Sequence, residues 1–167
     1  MQDYYSHIYE GEEVEGGGFV RLPNVMAIYP ITCHADKNDR EDWMEEEETY
    51  EDYRIEPTTM DIYRAIFQHR NTKEDHKHFG KAWPSQKRLA IELAINEKTL
   101  RTHIKRLERI GLLEIQRKYR NNRPFHVYSF PEPLSIKEFR EIFPKACAVY
   151  EEKMRKLKEV EPDIDDL

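Results

Sequence analysis

The 167-residue chain is poor in the features that commit a protein to chemistry of its own. Its two cysteines, Cys33 and Cys147, have neither metal-knuckle nor redox spacing, so a disulfide scaffold is excluded and both thiols are expected to be free. No apolar run reaches the roughly 18 residues of a membrane span, and the opening MQDYYSHIYEGEEVEGGG lacks the basic and apolar parts of a signal peptide. The expected setting is cytoplasmic, with no membrane partner. There is no glycine-rich phosphate loop, nucleophile elbow or HExxH, and the carboxylates run in blocks, so neither an enzyme nor a cofactor is expected. His69, His76 and His78 stand close in sequence and Cys33 adjoins His34, yet no four of these residues have zinc spacing; no metal is expected.

A hydrophobic fraction of 38%, with 11% aromatic residues, is enough for one real core. Charge is the stronger signal, because the overall net charge of -6 hides a segregation along the chain. Residues 1–56 carry 16 acids and 4 bases, whereas residues 81–130 carry 4 acids and 12 bases, net +8. Phosphates are bound locally, so a basic block inside an acidic chain points to nucleic acid whatever the whole-molecule balance.

Residues 1–18, glycine-rich and acidic, read as a flexible tail, and residues 19–56 as an arm with an acidic insert. In the arm, GFVRLPNVMAIYPI suggests a short strand or extended segment packed on the core, because Pro23 and Pro30 oppose a long regular element. DKNDREDWMEEEETYEDY reads as a solvated loop or helix face. Pro57 opens a first helix with Met60 or Ile62, Tyr63, Ile66 and Phe67 on one face. Ser85 caps a second, with Leu89, Ala90, Leu93 and Ala94 turned inward. After the break at Asn96, a third helix from Glu97 to Ile110 places Leu100, Ile104 and Leu107 on a core stripe and ends at Gly111. LLEIQRKY, RNNRP and FHVYSF then read as strand, turn and strand. The predicted class is α+β, mainly helical: a winged helix-turn-helix of three helices plus a β-hairpin wing over residues 57–130. A C-terminal helical extension follows at 131–160, with an acidic tail at 161–167.

The stretch WPSQKRLAIELAINEKTLRTHIKRLERIGLLEIQRK resembles the winged helix domains of plasmid and phage replication initiators and replisome organisers. A W-P-S element precedes the second helix, a threonine opens the recognition helix, and G-L-L leads into the wing. GGFVRLPNVM is similar, over a shorter length, to the segment that leads into such domains, whereas the acidic insert at 36–52 departs from the pattern. The resemblance implies double-stranded DNA as partner, a role in DNA replication, and contact with replication proteins. A transcriptional regulator, meeting transcription proteins instead, is the alternative.

The residues expected to touch DNA are Lys98, Thr99, Arg101, Thr102, Lys105, Arg106 and Arg109 on the recognition helix, with Arg101 and Thr102 reading bases. Ser85, Gln86 and Lys87 at the start of the second helix are expected to hold a phosphate, and Arg117, Lys118, Arg120, Asn121, Asn122 and Arg123 to form the wing contacts. Thr99 has a second reading, as a residue that caps or packs in the turn. Trp83 and Tyr119 have two as well: stacking on bases, or core and hinge. In the C-terminal segment, Phe143, Cys147, Tyr150, Met154 and Leu157 are spaced 4, 3, 4, 3, a stripe for a homodimer or for packing back on the first helix. A different class stays open too: an interaction module or DNA mimic whose acidic segments bind a basic partner.

Overall fold

The computed structural model describes residues 24–162. The winged helix runs α1 (Pro57–Gln68), α2 (Gln86–Leu93), α3 (Glu97–Arg109), β1 (Glu114–Arg120) and β2 (Arg123–Ser129), followed by α4 (Ile136–Ile142) and α5 (Pro144–Lys158). Each helix of the motif starts where a side chain satisfies a free backbone N–H. Pro57 stands in the first turn of α1, and Thr59 Oγ1 accepts the Glu56 N–H at 3.0 Å. Ser85 Oγ accepts the Arg88 N–H at 3.1 Å at α2, and Asn96 Oδ1 accepts the Thr99 N–H at 2.8 Å at α3. Asn96 is thus the polar break that lets a second apolar stripe start in a new direction.

The buried faces follow the helical period: Ile62, Tyr63 and Ile66 of α1, Leu89 and Ala90 of α2, and Leu100, Ile104 and Leu107 of α3. α3 ends at Gly111, whose φ of +83° is the left-handed conformation that glycine adopts without a Cβ penalty. β1 and β2 pair antiparallel from Glu114↔Ser129 to Arg120↔Arg123. Asn121 and Asn122, at φ 50° and 58°, make the turn of two positive angles that matches a hairpin's twist. Ala82 adds a one-residue bridge on the outer edge of β2, exchanging both hydrogen bonds with Tyr128 at 3.0 and 2.7 Å.

Four expectations are corrected. Asn24–His34 is a 3-10 segment, neither strand nor extended arm. Thr32 ties it to the chain entering α1, its Oγ1 accepting the Ile55 N–H at 3.0 Å. Second, the acidic run is folded. Met44, Tyr50, Tyr53 and even Glu41 are buried, and the Trp43 indole N–H donates to the Ile142 carbonyl at 2.7 Å. Tyr50 donates to Glu41 Oε1 at 2.6 Å, and the same oxygen accepts the Lys145 N–H at 3.1 Å in the first turn of α5. Aromatic rings spaced among the acids made this possible, since a purely charged run has no surface to bury. Third, Ala94 is exposed at φ 53°, because it forms the bend after α2 and is no longer on its inward face. Fourth, the stripe of α5 packs not on α1 but on the 3-10 segment, with His34 and Tyr150 ring centroids 5.3 Å apart.

The C-terminal segment is two helices, with Phe143 between them and Pro144 in the first turn of the second. The arm, insert, winged helix and extension share a single apolar cluster. The expected tail at 1–18, the first five residues of the arm and most of the acidic tail lie outside the described residues. No helix among the described residues is long and apolar enough to cross a membrane.

Candidate nucleic-acid interface

α3 has three sides. Leu100, His103, Ile104 and Leu107 face the core. The outward row is Lys98, Thr102, Lys105 and Arg109, spaced 4, 3, 4, with Arg101 beside it; all five are exposed. The third side, with Thr99 and Arg106 half-buried, turns toward the acidic segment. Glu97, 3.7 Å from Arg101 and exposed, is the one acid paired with the first half of this row among the described residues. The Thr102 hydroxyl donates to the Lys98 carbonyl at 3.1 Å, so its hydrogen is engaged within the helix.

Arg106 and Arg109 are held differently. Arg106 reaches Glu51 Oε1 at 2.6 Å and Glu56 Oε2 at 3.5 Å, with only 11% of its side chain exposed. Arg109 reaches Glu48 at 3.2 Å and Asp52 at 3.4 Å. The acidic segment therefore occupies the cations at the C-terminal end of the helix, and the free half is the N-terminal one. Sequence reading counted these acids but could not see which of them meet α3.

His103, which carried no role in the sequence reading, locks α3 to α1. Its Nδ1 lies at hydrogen-bond distance, 2.8 Å, from Thr59 Oγ1, the same oxygen that accepts the Glu56 N–H. Burial, reinforced by the Arg106 charge and opposed by Glu56, lowers the pKa of the imidazole and keeps it neutral. Its position in the apolar period of α3 was the available signal.

At the start of α2, Ser85 is engaged in its cap, Lys87 is exposed, and Gln86 Nε2 lies 3.4 Å from His126 Nδ1 on the wing. On the hairpin, side chains alternate between faces. Arg117, opposite His126, turns toward α3, where Glu108 lies 3.7 Å away. Lys118, opposite Phe125, and Arg120, opposite Arg123, share the other face. Asn121 and Asn122 form the tip. Tyr119 is 75% exposed and Trp83 47%, so neither is a core residue. His69 contacts Glu92 at 2.8 Å, whereas His76 and His78 lie against each other, ring centroids 5.5 Å apart.

A family model described as a helix-turn-helix domain matches residues 54–113, which are 60 of the 167 residues. No curated protein matches the chain. Among solved structures, a protein described as a possible transcriptional regulator from Methanosarcina mazei Go1 is similar at 15% identity and a TM-score of 0.35, over 65% of this chain and 81% of that one. The matched segment runs from the entry of α1 to the entry of the wing and contains both capped helices of the motif. With the hairpin that follows, the chain is a winged helix-turn-helix, the α+β class expected.

Proposed function

We propose that the chain is a sequence-specific binder of double-stranded DNA that reads the major groove with the N-terminal half of α3. The observation that carries this is the exposed set Lys98, Arg101, Thr102 and Lys105 at the start of a capped helix whose opposite face is fixed in the core. Thirteen residues make a rod about 20 Å long, which fits a groove about 12 Å wide. Arg101 suits bidentate contact with guanine, and the methyl of the exposed Thr102 suits a thymine methyl. Lys98, Lys105 and, at the rim, Thr99 suit phosphates, as do Lys87 and the free N–H groups beside Ser85 and Gln86. Arg117 and the tip residues Asn121 and Asn122 continue this surface along the backbone. Because Glu48, Glu51, Asp52 and Glu56 are engaged with the protein's own arginines, the acidic segment has less charge to offer a basic partner, which favours DNA reading over mimicry.

In the cell we assign the protein a replication initiator-like role, on the resemblance carried by residues 83–118, with transcriptional regulation as the alternative outcome. Random-pool selection of bound duplexes followed by mapping of sites decides it: clustered repeats at an origin support initiation, and isolated promoter sites support regulation. Arg101→Ala should weaken binding to the selected site by about 1–3 kcal/mol and relax preference at one base pair, measured by competition mobility shift at fixed salt. Equal affinity of the variant would remove Arg101 from base reading.

A further inference from the structure

The wing has a second face, turned away from α3, and it is not a plain one. The register puts Lys118 with Phe125 and Arg120 with Arg123 on that face, whereas Arg117, next to Glu108 of α3, marks the other. Together with Trp83 and His78 from the connection before α2, these residues line a cleft of about 710 Å³, within the roughly 300–1,000 Å³ range of small-molecule sites. The connection is pinned at its base. Ala82 bridges Tyr128, Asn71 N–H donates to the Lys81 carbonyl at 2.8 Å, and Gly80 N–H donates to the Asn71 carbonyl at 2.8 Å. Trp83 therefore stands on a fixed backbone, its ring edge-on to His78 at 5.8 Å and the residue 47% exposed.

The cations in this cleft differ from those at the end of α3. Among the described residues Lys118, Arg120 and Arg123 have no acid at ion-pair distance, and no carboxylate lines the cleft. Exposed aromatic faces beside unpaired cations are what an unstacked base with its flanking phosphates requires. A duplex has its bases stacked and offers no ring face to an indole, so these rings have nothing to hold on the ligand of α3.

We propose that this cleft holds an unpaired stretch of DNA, one base stacked on Trp83 and the adjoining phosphates on Lys118, Arg120 and Arg123. The site goes beyond the duplex reading and does not depend on it. A molecule with both would bind a junction of duplex and single strand more tightly than either part, since the second contact becomes intramolecular.

The test uses the full chain and a fluorescein-labelled oligothymidylate of about 16 nucleotides, a length within the site sizes of single-strand binders. Trp83→Ala is expected to weaken its binding about 5- to 150-fold, the range for loss of one stacked base, and to leave affinity for the selected duplex unchanged. Trp83→Phe should retain most of the oligothymidylate affinity, separating lost stacking from a loosened loop. Lys118→Gln should reduce the slope of log affinity against log salt by about 0.7. The proposal is overturned if oligothymidylate does not bind, if Trp83→Ala leaves it unchanged or weakens the duplex equally, or if thymidine monophosphate binds as tightly as the oligomer. Should Arg101→Ala leave duplex binding intact while oligothymidylate binding depends on Trp83, the α3 reading fails and this one stands.

Discussion

Ala94 sets the angle between the two helices of the motif, and it does so under strain. Its φ of 53° and ψ of 40° lie in the left-handed region, where a Cβ costs roughly 1–2 kcal/mol. The conformation is needed because Ile95 N–H closes back on the Ala90 carbonyl at 3.0 Å and releases the chain toward the Asn96 cap. Ala94→Gly removes the Cβ at an exposed site and gives back part of the gain as unfolded-chain entropy. The variant should gain about 1 kcal/mol, a rise in Tm of roughly 2–4 °C by calorimetry. An unchanged or lower Tm would mean that the turn carries no such strain. Alanine is a good helix former, so no local rule marks this position as a bend; the inward-facing reading followed the period one residue too far.

At the scale of elements, the acidic segment and α3 are the pair that matters. Residues 36–56 carry eleven acids against three bases, and their buried aromatics hold them where Arg106 and Arg109 project. Arg109 shares the outward row of α3, so its engagement with Glu48 and Asp52 competes with any phosphate in reach. Arg109–Asp52 is exposed on both sides and worth only about 0–1 kcal/mol, whereas Arg106 and Glu48 are mostly buried. Gln and Asn, which keep the volume and the hydrogen-bonding oxygen, are therefore the replacements to use, with circular dichroism confirming the fold. Combining Glu48→Gln, Glu51→Gln and Asp52→Asn should tighten duplex binding at low salt, and more than neutralising Glu45, Glu46 and Glu47, which are exposed. Competition titrations of the two triple variants at two salt concentrations measure this. Equal gains from both sets would reduce the effect to total charge.

For the whole molecule, the histidines point one way in acid. Burial is the leading cause that lowers the pKa of His34, His103 and His126, and His78 is lowered as well, all from the usual 6.5. The unfolded chain then binds more protons than the folded one as pH falls through 6.5, so their contribution is full above that value and is lost below it. Glu92, Glu138 and Glu152 are lowered by hydrogen bonds that favour the carboxylate, Glu152 to about 2, and their contribution, full above 4.5, is lost at still lower pH. Tm should therefore fall from pH 7.5 to pH 5.5 and further below pH 4.5, followed by circular dichroism. His103→Gln, which can still meet the Thr59 hydroxyl, should flatten the upper step; a Tm constant from 7.5 to 5.5 would contradict the assignment of neutral buried rings.

What the sequence determined by itself was what depends on neighbours in the chain. Caps at Ser85 and Asn96, the stripe Leu100–Ile104–Leu107, the stop at Gly111 and the turn at Asn121–Asn122 are local signals, each fixed by a spacing of four residues or fewer or by one backbone angle. The basic face of α3 was equally legible, because helical period assigns faces without knowing partners. Only the tertiary structure decided which of those cations are free. Arg106 lies 55 residues from Glu51, and Trp43 lies 99 from Ile142, and no period reaches across such separations. The same holds for the two faces of the wing. Alternation separates Arg117 from Lys118, but the side on which α3 lies, and the side on which Trp83 waits, follow from how the hairpin docks on the core.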